Sequence, residues 1–370
     1  MKKLLFTAVS ALAFASAHAD TYQATNWLGP AHVLNNVAYG TFAADVKQVT
    51  GGDIDFEIFS SGSLVPAQTT LGAVGDGVAQ LGIVSASYTP SDLPLSGMIN
   101  DLAFVATDGM ATGFAITEIS MTNQRLLDEL AKHNTVTVGA YSTPPYLFLC
   151  MRTLGDLDSL KGVKIRTAGT AQNEWAASLG AIPVAVPITD VYSGLERGSI
   201  DCTLSEATNL SSGYKFWEVA KTITMLEQGA TLGLTYVYNK DFWKEIGAQN
   251  RRKLLDVTAR NVVRTQIVYA QEAESALQGS KERGVSIDQP DPTLVDALDK
   301  FRANVIATYP GRTEKERRVA DPTEVANEFL ALQAKWTKLL DQVDRQNEDV
   351  VTQLVMDEIY SKIDENGYGL

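Results

Sequence analysis

The chain has 370 residues, 45% of them hydrophobic, with 31 lysines and arginines against 44 aspartates and glutamates, a formal charge of −13. So acidic a chain repels nucleic acid and anionic lipid, which argues against both as partners. The length exceeds one ordinary hydrophobic core, so two domains are the default, and beyond the amino terminus no apolar run approaches membrane-spanning length.

Met1, Lys2 and Lys3 make a positive start, residues 4–14 an apolar run, and Ala17-His18-Ala19 a small-residue cleavage site. This is the pattern of a secretory signal peptide over residues 1–19, with an exported mature chain beginning near Asp20. Residues 21–106 follow as an α/β unit. A strand is predicted over 22–26, then a loop through Trp27-Leu28-Gly29-Pro30, then one helix over 32–50 whose apolar stripe is Val33, Val37, Phe42 and Val46 and which stops at Gly51-Gly52. Residues 53–58 alternate as a half-buried strand does, a helix covers 66–74, and a further strand covers 77–84 with a loop from Ser85 to Pro94. Open α/β sheets bind ligands in the loops at the carboxyl ends of their strands, which makes Trp27, Ser85 and Tyr88 candidate cleft residues. Trp27 and Tyr88 serve equally well as packing at the edge of the core, and the Ser85 hydroxyl as a turn cap.

One amphipathic helix is expected over 111–133 and a strand over 136–140; Ser142-Thr143-Pro144-Pro145-Tyr146 then forms a stiff crossing suited to passing from one domain to the next. Cys150 and Cys202, the two cysteines of the chain, flank a stretch that reads strand, helix, short strand, helix, strand. In an exported protein they can pair and stiffen that stretch, or remain two separately buried thiols. Within it, Val163, Ile165 and Thr167 alternate out of a glycine turn, so Lys164 and Arg166 share the opposite face, and Arg166 stands at a strand end just before Gly169. A guanidinium keeps its charge and offers a planar fork of donors that fits a carboxylate, so Arg166 is the leading candidate for gripping an anionic ligand, against the usual fate of arginine on a surface edge.

Residues 232–239 read as another strand, with Tyr236 either facing a cleft or packing. From 248 to 283 no proline interrupts an apolar stripe through Leu255, Val262, Val263 and Ile267, so one helix of roughly 50 Å is predicted. A short strand at 284–287 and two or three more helices complete the chain. The last carry two stripes: Val325, Phe329, Leu332, Trp336, Leu339 and Val343, and then Val351, Val355, Ile359 and Ile363. One stripe should lie on the body of the protein; the other can pack on the chain's own long helix or on a second copy, giving a homodimer.

The motif Leu160-Lys161-Gly162-x-Lys164-Ile165-Arg166, then Leu179-Gly180-Ala181-x-Pro183-Val184, then Asp190-Val191-Tyr192-x-x-Leu195-x-x-Gly198-x-Ile200-Asp201 resembles the extracytoplasmic solute-binding subunits of tripartite ATP-independent periplasmic (TRAP) transporters. The likeness extends in order over nearly the whole mature chain, including the Thr50-Gly51-Gly52 turn, the Gly77-x-x-x-x-Gly82 strand and the long helix. It implies a two-domain, type II-like periplasmic-binding-protein α/β fold with a hinge, a long bracing helix and extra C-terminal helices. The expected partition is residues 20–144 with about 232–265 in domain I, 145–231 with about 266–320 in domain II, and 321–370 as helices packing on the domains or on a partner. It further implies a periplasmic protein that captures an organic acid by hinge closure, Arg166 holding the carboxylate, and delivers it to integral-membrane permease subunits.

Two departures from the family pattern matter. Many members carry a second arginine about where Tyr146 stands, so Tyr146 would offer the ligand a ring face or a hydroxyl, and a monocarboxylate suits the site better than a dicarboxylate. Where the family continues Gly-x-Glu-Asn-Pro, this chain has Cys202-Thr203-Leu204-Ser205-Glu206-Ala207; Ser205 takes the place of a ligand-contacting asparagine, and Glu206 either accepts from ligand hydroxyls or caps the following helix. No cofactor is expected. His32 and His133 are too far apart in sequence for metal-ligand spacing, and no nucleophile elbow, phosphate loop or dinucleotide fingerprint occurs. A periplasmic enzyme is therefore set aside, while a ligand-delivery subunit for a membrane sensor stays as the alternative to transport.

Overall fold

The computed structural model describes residues 21–370, so the expected leader lies outside the described residues. Within them the strands, in chain order, are β1 (Thr21–Thr25), β2 (Asp55–Phe59), β3 (Leu81–Val84), β4 (Thr135–Thr137), β5 (Ala140–Ser142), β6 (Leu147–Cys150), β7 (Lys164–Thr167), β8 (Ile182–Ala185), β9 (Cys202–Ser205), β10 (Thr222–Thr224), β11 (Leu232–Asn239) and β12 (Ser286–Asp288). They build two six-stranded sheets: β2-β1-β3-β11-β4, with β5 also on β11, and β12-β10-β6-β9-β7-β8. In the first, β1 runs parallel to β2 and β3 while β11 returns antiparallel to β3. In the second, β7 lies parallel between β8 and β9. Both strands beside β7 are therefore occupied, and Arg166 has no solvent edge to escape to.

The chain crosses from the first sheet to the second after β5, returns before β11, and crosses again through the helix Gly247–Glu282 to reach β12. The first two crossings are laced to each other. Tyr146 N–H donates to Gly229 O at 2.7 Å, Gln228 N–H to Tyr146 O at 2.9 Å, and Thr143 N–H to Thr231 O at 3.0 Å. Gly229 has φ +77°, and a Cβ there would stand 2.2–2.4 Å from the backbone of Phe104, so only glycine fits.

Local chemistry explains where the elements depart from the predicted ones. The stripe Val33, Val37, Phe42, Val46 contains one five-residue step, and the helix absorbs it as a π-helical turn, Asn36–Thr41, between α-helical turns. The helix expected over 111–133 is two, Gly109–Thr122 and Gln124–Ala131, because the Asn123 side chain turns to accept from Arg125 N–H and Leu126 N–H and so caps the second. The strand expected over 136–140 divides into β4 and β5 around Gly139, whose bare Cα is held 2.9–3.0 Å, measured to an added Cβ, from Thr258, Tyr236 and Val262.

Three further helices follow β12: Pro292–Arg317, Pro322–Leu340 and Glu348–Glu358. Trp336 packs edge-on against Phe114 at 5.1 Å and donates its indole N–H to Glu118. Glu348 pairs with Arg260 and Arg264 of the long helix, and Val351, Val355, Ile359 and Tyr360 are buried beneath. Both C-terminal stripes are thus covered by the chain itself, and a dimer through these helices would have to use other side chains. No helix among the described residues is long and apolar enough to cross a membrane.

Candidate ligand-binding site

The loops at the carboxyl ends of strands from both sheets converge on one small cavity of about 40 Å³, a volume in which roughly 10–15 Å³ accommodates one water. The β1 loop contributes Trp27, Leu28 and His32, and the β3 loop Ser85, Ser87 and Tyr88. Tyr141, Thr143, Tyr146 and Thr231 come from the crossing strands, Ile188 and Glu206 from the second sheet's loops, Asn209 and Tyr214 from the segment after β9, and Tyr269 from the long helix. Trp27 and Tyr88 meet edge-to-face at 5.6 Å, and Ile188 N–H donates to the Tyr88 hydroxyl at 3.3 Å, so a first-sheet loop touches a second-sheet loop over the cavity. Ser85 Oγ is engaged with Leu232 O at 3.2 Å and Ser87 Oγ at 2.8 Å, so it holds the loop in place from the cavity wall.

Arg166 is 0% exposed, and among the described residues no carboxylate lies within ion-pair distance. Its Nε donates to Val186 O at 2.9 Å and Nη1 to Leu204 O at 3.3 Å, while Nη2 is buried with no hydrogen-bond partner. It does not itself form the cavity wall, but its charge bears on the Tyr146 and Tyr214 phenols that do. Burial pushes the Tyr146 phenol up to about 12, against the opposing pull of that charge. A buried guanidinium with one unpartnered nitrogen and no acid beside it leaves its charge without a counter-ion in the protein. A larger cleft of about 470 Å³ on the surface contains Arg260 and Arg264, whose charges are already met by Glu348, Asp349 and Asp45.

Glu206 both caps and lines. Its carboxylate accepts from Thr208 N–H at 2.6 Å and Thr208 Oγ1 at 2.8 Å, starting the short helix Ala207–Leu210, and one oxygen takes the Tyr269 hydroxyl at 3.4 Å. Burial raises its carboxyl to about 7. His32 Nδ1 accepts from Leu34 N–H, which leaves Nε2 as the protonated nitrogen, 4.0 Å from Glu206. Burial lowers the imidazole to about 3, so it is neutral there. Ser205 does not line the cavity; it supports Asn209, whose Nδ2 donates to Ser205 Oγ at 2.9 Å.

Tyr236 is placed away from the site. It is fully buried, stacks near Tyr39 and Phe42 and donates to Asn261 at 2.6 Å, because its side chain leaves β11 on the face covered by the long helix. Sequence inspection passed over His32, Asn209, Tyr214 and Tyr269. His32 stands on the same post-strand loop as Trp27 and was open to the same argument; Tyr269 lies mid-helix, and only the packing of that helix across both sheets brings it in. Cys150 and Cys202 face each other across β6 and β9 and are bonded. β9 is also the neighbour of β7, so the crosslink ties down the strand beside Arg166. No group of three or more His, Cys, Asp or Glu among the described residues is arranged to hold a metal ion.

The two α/β sheets thus bring their loops together over one small cavity, with a buried and partly unpaired arginine close behind its wall. Residues 24–309 match the model of the DctP family, bacterial extracellular solute-binding protein, family 7. The chain belongs to this family of TRAP solute-binding receptors and is not an enzyme. It is 25% identical over 242 residues to the C4-dicarboxylate-binding periplasmic protein DctP of Rhodobacter capsulatus, covering 65% of this chain and 71% of that one. The fold matches that of DctP7, a Bordetella pertussis extracytoplasmic solute receptor binding pyroglutamic acid, with a TM-score of 0.74 and 22% identity over 85% of this chain and 100% of that one. It likewise matches a TRAP solute-binding protein of Rhodoferax ferrireducens T118 in complex with copurified benzoate, with a TM-score of 0.77 and 19% identity over 86% and 99%.

Proposed function

We propose that this receptor captures a small organic acid anion in the cavity between its two sheets, that Arg166 grips the carboxylate, and that hinge closure over the ligand presents a form recognised by the membrane permease. The observation that carries this is the buried Arg166 with Nη2 unpaired and no acid in reach. Burial removes the competing solvent and strengthens such a pair. Relatives named for binding C4-dicarboxylates, pyroglutamate and benzoate support a carboxylate as the common element. With one arginine and Tyr146 in place of a second, the site suits one carboxylate.

The hinge in this proposal is the laced pair of crossings around residues 143–146 and 228–231, with the long helix as brace. Domain I would comprise residues 20–144 with about 232–265, domain II 145–231 with about 266–320, and the remaining helices would pack on both. Export with removal of residues 1–19 completes the proposal, and an intact-mass measurement of the exported chain tests it. The test of function is a thermal-shift comparison of carboxylic acids with their amides. Ligand at a hundred times its Kd adds about 2.7 kcal/mol, so acids of the right class should raise Tm and their amides should not; shifts from neutral compounds alone would overturn the proposal.

A further inference from the structure

The cavity has a second polar centre. Glu206 is 1% exposed and lines the same cavity that Arg166 flanks. The two are joined through β9: Arg166 Nη1 donates to Leu204 O, and Glu206 follows two residues later at the strand's end. The Glu206 partners, Thr208 and Tyr269, leave acceptor capacity on its oxygens, since a carboxylate offers about four lone-pair sites. The neutral His32 stops at 4.0 Å, too far to donate a hydrogen bond to it. On the same wall Asn209 Oδ1 and the Tyr214 hydroxyl are buried with no partner.

An arginine alone would select any carboxylate of the right size. A wall that adds buried acceptors selects further, because a ligand without donors leaves them desolvated and unpaired. Resting on the function proposed above, we infer that Glu206 is a specificity-determining residue that accepts a hydrogen bond from an O–H or N–H donor on the ligand, with Asn209 Oδ1 as a second acceptor. The ligand class is then a small monocarboxylate bearing a hydroxyl, amino or lactam N–H group, rather than a plain aliphatic or aromatic hydrocarbon acid. The six aromatic side chains around these groups, Trp27, Tyr88, Tyr141, Tyr146, Tyr214 and Tyr269, bound its size.

The test uses the mature protein and matched pairs of acids of nearly equal shape: lactate against propionate, 2-hydroxybutyrate against butyrate, pyroglutamate against cyclopentanecarboxylate, mandelate against phenylacetate. Affinity is measured by titration calorimetry, with wild type, Glu206→Gln and Arg166→Lys in parallel. The expected result is that the pair that binds shows at least about tenfold preference for its donor-bearing member. Glu206→Gln should collapse that preference, and Arg166→Lys should weaken both members together. Equal binding within a pair, or preference for the donor-free acid, overturns the role of Glu206 while leaving Arg166 as the carboxylate grip. Failure of every acid to bind overturns the carboxylate function itself and this inference with it. The wild-type comparison stands without the variants, so poor folding of Glu206→Gln cannot protect the proposal.

Discussion

Arg166 is held so that only part of its guanidinium is used internally. Backbone carbonyls of Val186 and Leu204 fix its Nε and Nη1, which leaves Nη2 as the unpartnered nitrogen. Truncating one partner of a buried charge pair costs about 2–5 kcal/mol, roughly 30-fold in affinity or more. Arg166→Ala should therefore abolish useful binding. Arg166→Lys keeps charge but loses the fork, and should bind weakly, with the loss read by calorimetry. Glu206 carries a pH signature. The folded chain holds its proton up to about 7 against an ordinary 4.5. Between those values the folded state binds more protons than the unfolded one, so this group's contribution to stability falls as pH rises and levels off above about 7. Glu206→Gln removes that loss, and its Tm relative to wild type should climb between about pH 5 and pH 8; a difference independent of pH would contradict the buried carboxyl. His32 acts in the opposite sense, losing stability as pH falls below 6.5, and is common to both proteins. The placement of Arg166 on a strand of the second sheet was legible from the alternation of β7. Glu206 was legible only as an alternative between helix cap and ligand contact, because a residue at the end of β9 can cap the next helix and line the cavity at once.

At the scale of elements, the Cys150–Cys202 crosslink closes a loop of 52 residues. The chain-entropy argument gives such a loop up to about 4 kcal/mol of stabilisation, with measured values typically about 2–4 kcal/mol. The double variant Cys150→Ser, Cys202→Ser should unfold at correspondingly lower denaturant, as followed by circular dichroism, yet still bind ligand well below its Tm, since no cysteine touches the cavity. A crosslink that carried nothing would leave the midpoint unchanged. Gly229→Ala should lower stability by more than about 1 kcal/mol, through both its left-handed φ and the collision with Phe104. The sheets, the long helix and the crossing at Pro144-Pro145 were readable because alternation, an uninterrupted apolar stripe and proline stiffness are local signals. The break at Asn123 and the π-turn at Asn36–Thr41 were not, because a side-chain cap and a five-residue step only acquire meaning once neighbouring elements fix the helix axes.

At the scale of the whole molecule, the two sheets touch at the cavity mouth through Tyr88 and Ile188. Elsewhere Arg317 of a C-terminal helix reaches both Asp101, at 2.5 Å, and Thr170, at 3.0 Å. These contacts hold the two sheets together around a small cavity. If closure follows ligand binding, solution scattering should show a larger radius of gyration without ligand, contracting toward about 20 Å, the value for a compact chain of this length, when an acid is added; an unchanged radius would speak against a hinge. The ligand's identity is not written in sequence because both sheets, two crossing strands and the long helix each supply part of the wall. The proposed function turns on Arg166 holding a carboxylate. The most direct measurement is calorimetric titration of the acid found by thermal shift into wild type and Arg166→Ala, with folding of the variant checked by its melting curve. Binding to the wild type with a loss of roughly 30-fold or more in the folded variant is the predicted result. Equal affinity in both would contradict it and place the anion site elsewhere.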